Sequence, residues 1–158
     1  VSALLALLLS LLAPLTNLEA PTGLVIRTGL IDAAMGLRAM TITLVNKDTQ
    51  PHTLNGYPAI RVLDKNREPL PVTINPGAGN VTSGFDAPPT PVTIQPGKTA
   101  IAVLTWRNTV TDSTVVATNG PFLDLAPTAG APWQTRYPEG GIDLGNTGTL
   151  GVSAWKTP

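Results

Sequence analysis

Two hydrophobic patterns divide the chain. Val1 to Ala13 reads VSALLALLLSLLA, and no charge appears before Glu19. A helix of that length rises ~20 Å, short of the ~30 Å hydrocarbon core of a bilayer. Leu occupies every face of such a helix, which excludes an amphipathic surface helix. Residues 1–20 are therefore expected to form an apolar helix that serves as an export signal or a membrane anchor. Leu18-Glu19-Ala20 is a poor cleavage site, because Leu is large for its position and Pro21 follows. Any membrane contact would run through this leader.

From Gly23 onward the period changes to two, and short strand-like runs alternate with turn signals. Leu24-Val25-Ile26 opens the first run. Leu37 to Val45 sets Met40, Ile42 and Leu44 on one face and Thr41, Thr43 and Val45 on the other. Ala33-Ala34-Met35, before Gly36, reads as a turn-like connection between these two. Ile60 to Leu63 is a short strand, and Pro71 to Ile74 ends at the breaker Asn75-Pro76-Gly77. Val92-Thr93-Ile94 precedes a Gln-Pro-Gly-Lys turn. Thr99 to Trp106 reads as a central strand with Trp106 in the core. Phe122 to Leu125 alternates, so Asp124 is expected to face away from the core, and Leu150 to Trp155 follows as a last strand. About seven to nine strands, with turns every ~8–12 residues, predict an all-β antiparallel β-sandwich over residues 22–158. Gly77 to Pro91 and Ala126 to Pro132 read as loops.

Composition acts mainly by exclusion. The chain has 158 residues, enough for one domain with its own core. Ten basic and ten acidic side chains give zero net charge, which removes the electrostatic basis for nucleic acid as a partner. There is no cysteine, so disulfides, thiolate metal sites and cysteine nucleophiles are excluded. Gly (15) and Pro (16) are abundant, as a turn-rich β protein requires.

Few residues suggest chemistry. His52 is the only histidine, so a hydrolase would need it as base, yet no serine sits in a G-x-S-x-G elbow. Pro51-His52-Thr53 follows a turn and reads as a solvated loop. Asp48, Asp64 and Asp112 occupy turn contexts, where carboxylates cap backbone amides. A copper carrier would use His52 with Met35 and Met40. Zinc is excluded by its ligand demand, and Asp64-Lys65-Asn66 lacks the rest of a calcium loop. The reading is of no enzyme and no cofactor. Trp133, Arg136 and Tyr137 form an aromatic-cationic run that either contacts a ligand or partner or covers one end of the sandwich. Asn80-Val81-Thr82 is a sequon, relevant only in a host that glycosylates, whereas the Lys-poor composition is that of a high-GC bacterium.

Several motifs recur in a set order. Ile31 to Arg38 (IDAAMGLR) leads into the strand ending Leu44-Val45-Asn46, and Thr53-Leu54-Asn55-Gly56-Tyr57-Pro58 precedes Val62-Leu63-Asp64. Ile94 to Ala100 (IQPGKTA), Leu104-Thr105-Trp106 and Leu150 to Trp155 (LGVSAW) follow. This order resembles the actinobacterial domain of unknown function 4232 over about residues 22–157. The resemblance implies an exported immunoglobulin-like sandwich, often tethered to the membrane, with no known activity. Gly56 and Pro58 would set a kink, with Tyr57 burying its ring. The family pattern often has a bridged Cys just before the Thr-Leu-x-Gly step; here His52 stands there and Pro21 or Thr22 occupies the partner neighbourhood. The expectation is an extracytoplasmic, non-catalytic binding or accessory module of the envelope. It would contact an envelope protein or a cell-wall component through the Gly77–Pro91 loop or the Trp133–Tyr137 run.

Overall fold

A computed structural model describes residues 23–78 and 81–158. The expected apolar helix over residues 1–20 lies outside the described residues, as do Pro21, Thr22 and the sequon's Asn80. Among the described residues there is no helix. The elements are β1 (Leu24–Ala34), β2 (Leu37–Asn46), β3 (His52–Leu54), β4 (Ala59–Leu63), β5 (Thr73–Pro76), β6 (Val92–Ile94), β7 (Thr99–Arg107), β8 (Thr118–Gly120), β9 (Phe122–Ala126), β10 (Gln134–Arg136), β11 (Ile142–Gly145) and β12 (Thr149–Val152). Twelve strands exceed the expected seven to nine because β3, β8 and β10 are three-residue segments. Strands that short show too little alternation to stand out.

The strands form a five-stranded sheet of order β1-β2-β7-β12-β5, a three-stranded sheet of order β10-β9-β4, and the pairs β11-β8 and β3-β6. Every pairing is antiparallel except β12 with β5, so the large sheet is mixed rather than purely antiparallel. A long excursion separates β5 from β12, and only such a crossover permits parallel neighbours. Pro76 belongs to β5 rather than ending the chain's extended course before it. β5 is an edge strand, where a residue without an N–H is tolerated.

β1 runs on to Ala34, so Ala33 and Ala34 are strand rather than turn. The connection is only Met35 and Gly36, both at positive φ (50° and 83°), the two-residue geometry that follows the strands' own twist.

Alternation fills one core. Ile26, Met40, Ile42, Leu44, Leu104, Trp106, Leu150 and Val152 come from the large sheet. Ile60, Val62, Leu123 and Leu125 come from the three-stranded one, and Leu54, Val92, Ile94, Ile142 and Leu144 from the pairs; all belong to a single buried cluster. Tyr57 packs against it half-buried. Trp155 closes it: its backbone N–H donates to Gly56 O at 2.9 Å and its Nε1 to Pro127 O at 2.8 Å.

Two buried polar side chains differ in how well they are satisfied. Asn46 is fully buried, yet its Nδ2 donates to Gln50 O and Ile94 O at 2.8 Å each, and its Oδ1 accepts from Asp48 N at 2.9 Å. Thr105 is equally buried, and its Oγ1 has no hydrogen-bond partner. Leaving a hydroxyl unpaired in the core costs free energy that an isosteric methyl does not. Thr105→Val is therefore expected to hold or raise the melting temperature, measured by differential scanning calorimetry. A fall equivalent to more than about 1 kcal/mol would contradict this account.

The carboxylates expected in turns behave as caps. Asp64 accepts from Asn66 N and Glu68 N. Asp112 accepts from Thr114 Oγ1 and N, and these bonds hold its carboxyl below the usual aspartate range.

Candidate binding face

The outward side of the three-stranded sheet gathers the exposed aromatics Trp133 and Tyr137 beside Arg61 and Arg67. Register places Thr135 opposite Asp124, and Asp124 opposite Arg61. Asp124 does turn away from Leu123 and Leu125, as alternation predicts. It is nevertheless buried, with 4% exposure, because its two row neighbours cover it. Arg61 Nη2 donates to Asp124 Oδ2 and Thr135 Oγ1 to Asp124 Oδ1, both at 2.6 Å. The Arg61 guanidinium then lies 4.4 Å from the centre of the Trp133 ring, a cation–π contact. One row along, Tyr137 meets Phe122 edge to face at 5.4 Å, and the Arg67 guanidinium lies 5.1 Å from the Phe122 ring centre. Trp133 and Tyr137 remain 41% and 68% exposed.

Three residues of the Trp133–Tyr137 run form β10, and that strand decides which side chains share a face. Trp133, Thr135 and Tyr137 point one way. Gln134 and Arg136 point the other, toward β1. Gln134 Oε1 accepts from Ile26 N at 2.9 Å, and its Nε2 donates to Leu24 O at 2.7 Å. Arg136 Nε donates to Ile26 O at 2.7 Å and Nη2 to Gln134 Oε1 at 3.0 Å. Arg136 is thus withdrawn from the expected contact set, because its guanidinium satisfies the backbone of an edge strand. The run covers the flat of a sheet rather than an open end of the fold. Arg61 and Arg67 take the cationic places. Alternation along Ile60-Arg61-Val62 puts Arg61 opposite the core, but the pairing of β4 with β9 that brings it to Asp124 is not written in any local pattern.

Gln134→Ala leaves Ile26 N and Leu24 O without these partners. It is expected to destabilise by about 1–2 kcal/mol in urea denaturation while leaving the Trp133–Tyr137 face intact.

The other expected sites fare differently. His52 opens β3 half-buried instead of lying in a solvated loop, and its Nε2 meets Asp48 Oδ2 at 2.6 Å. The second Asp48 oxygen accepts from Gly23 N at 2.7 Å, so the carboxylate ties the first described residue to the strand carrying His52. Among the described residues no serine hydrogen-bonds His52; Ser153 is buried and bonds Val103 N and Ala154 O. The copper set does not assemble. Met35 is fully exposed at the β1–β2 turn, Met40 is in the core, and His52 follows the opposite end of β2, a strand length of ~30 Å from Met35. In the Gly77–Pro91 loop Asp86 Oδ1 accepts from Ala78 N at 2.9 Å, and the described residues beyond Gly77 form no strand. Phe85, Ala87 and Pro88 of this loop face Ala154 and Trp155 across an apolar groove of about 310 Å³.

The model of a domain of unknown function, DUF4232, matches residues 20–156. The chain belongs to the DUF4232 family. No curated protein and no solved structure matches it. In this DUF4232 chain the Leu54-Asn55-Gly56-Tyr57-Pro58 step and Trp155, about a hundred residues apart in sequence, meet through the Trp155 N–Gly56 O hydrogen bond.

Proposed function

We propose that this chain is an extracytoplasmic, non-catalytic binding or accessory module of the bacterial cell envelope. Its sheets pack as an immunoglobulin-like β-sandwich, with residues 1–20 acting as export signal or anchor. The single buried cluster shared by the five- and three-stranded sheets supports the sandwich. The apolar, uncharged run from Val1 to Ala13 supports export. The observation that carries a binding role is the outward face of β10-β9-β4, where Trp133 and Tyr137 are exposed beside Arg61 and Arg67. Trp, Tyr and Arg are the residues that most often dominate contact energies. The partner would be an envelope protein or a cell-wall component.

The test is a photo-crosslinking amino acid placed at Tyr137 in the full chain in its native cells, with exposed Thr41 as the control position. Adducts from position 137 and not from position 41, in the envelope fraction, are expected. Equal labelling at both, or a chain found only in the cytosol, would refute the reading.

A further inference from the structure

We infer that the β10-β9-β4 face takes an uncharged oligosaccharide. This rests on the reading of that face as the contact surface. Trp133 and Tyr137 lie on the same side of the strand and four positions apart, which separates them by ~13 Å along it. Between them runs the polar row Thr135, Asp124 and Arg61. The order across the face is therefore aromatic, polar, aromatic. A protein interface has the reverse anatomy, an apolar centre inside a polar rim. A chain of sugar rings matches the order seen here. Each pyranose presents an apolar C–H face that stacks on an aromatic ring, and a rim of hydroxyls that donate and accept hydrogen bonds. Trp133 and Tyr137 supply the platforms, and the Tyr137 hydroxyl both donates and accepts.

Charge narrows the ligand further. Arg61 is neutralised by Asp124 at 2.6 Å, so the polar row has no net charge, and Arg67, stacked on Phe122, is the one cation of the face without an ion pair among the described residues. Binding to phosphate or sulfate chains draws on several uncompensated Lys and Arg, which a single arginine does not supply. Arg61 still has donors to offer. Its side chain is 42% exposed, and among the described residues only its Nη2 meets an acceptor.

The test is titration calorimetry of the purified full-length protein with cellohexaose and with chitohexaose. Glucose, N-acetylglucosamine and heparin are the comparisons. At least one hexasaccharide is expected to bind about tenfold or more tightly than its monomer, with no heat from heparin. Trp133→Ala and Tyr137→Ala are each expected to weaken that binding by about tenfold or more, with unchanged far-ultraviolet circular dichroism. Should one variant fail to fold, the other decides. Failure of both hexasaccharides to bind, tighter binding of heparin, or affinity that survives the folded variants would overturn the inference. A protein adduct from position 137 in cells would then leave the binding role standing without the sugar. Absence of any adduct would remove both.

Discussion

Asn46→Asp is expected to lower stability by about 3 kcal/mol or more at neutral pH, although it changes the side chain by a single atom. Asn46 Nδ2 serves two carbonyls, Gln50 O and Ile94 O, and its own backbone N–H and C=O engage Lys98 O and Gly97 N. Two turns, β2–β3 and β6–β7, thus meet on one buried residue. A carboxylate in its place turns an acceptor toward two acceptors in a buried position. Burial and those carbonyls disfavour the ionised form, so the introduced carboxyl has a folded pKa above its unfolded value of ~3.9. A group raised in this way costs least when protonated in both states. The deficit relative to wild type should therefore be smallest below about pH 4 and grow as pH rises through that value, levelling above the folded pKa. Urea denaturation of both proteins from pH 3 to 8 measures it. A deficit independent of pH would show that the two carbonyl contacts are not the cause.

Trp155→Ala is expected to cost about 3–5 kcal/mol, since it empties one of the two largest buried side-chain volumes and leaves Pro127 O without its donor. Trp155→Phe keeps much of the volume but loses the indole N–H and part of the bicycle, so it should cost less, roughly 2–3 kcal/mol. Guanidinium denaturation of the two variants shows how much of the loss follows the ring volume that Phe retains. Equal losses would mean that the Pro127 bond dominates. The backbone N–H of residue 155 reaches Gly56 O in either variant.

The long elements were legible because each carries a full period of alternation. Met40, Ile42 and Leu44 face inward as their spacing demands, and Trp106 is core. The short elements were not, for two physical reasons. A three-residue strand such as β10 exists because β9 offers it a partner, and no local propensity of Gln134-Thr135-Arg136 announces that partner. The parallel pairing of β5 with β12 is likewise a long-range event. The candidate face shows both sides of this limit. Trp133 and Tyr137 stood out by residue type, and the structure sets them on one face. Arg136 stood out equally, but β10's alternation turns it to the backbone of β1. Nothing local in Ile60-Arg61-Val62 marks Arg61; the pairing of β4 with β9 brings it to Asp124 and Trp133. His52 read as solvated because the Asp48 contact depends on how the turn between β2 and β3 folds back.

The place of β12 bears on when the molecule can fold. It follows every other strand in the chain, yet it lies inside the five-stranded sheet, between β7 and β5. Until those residues leave the ribosome, β7 has a vacant side and β5 has no sheet to join. The contacts that complete the sheet are also far apart in sequence, as Thr73 with Thr149 illustrates, and such contacts form slowly. The five-stranded sheet therefore cannot be completed until β12 has been made, late among the described strands, and its β5 edge then joins last.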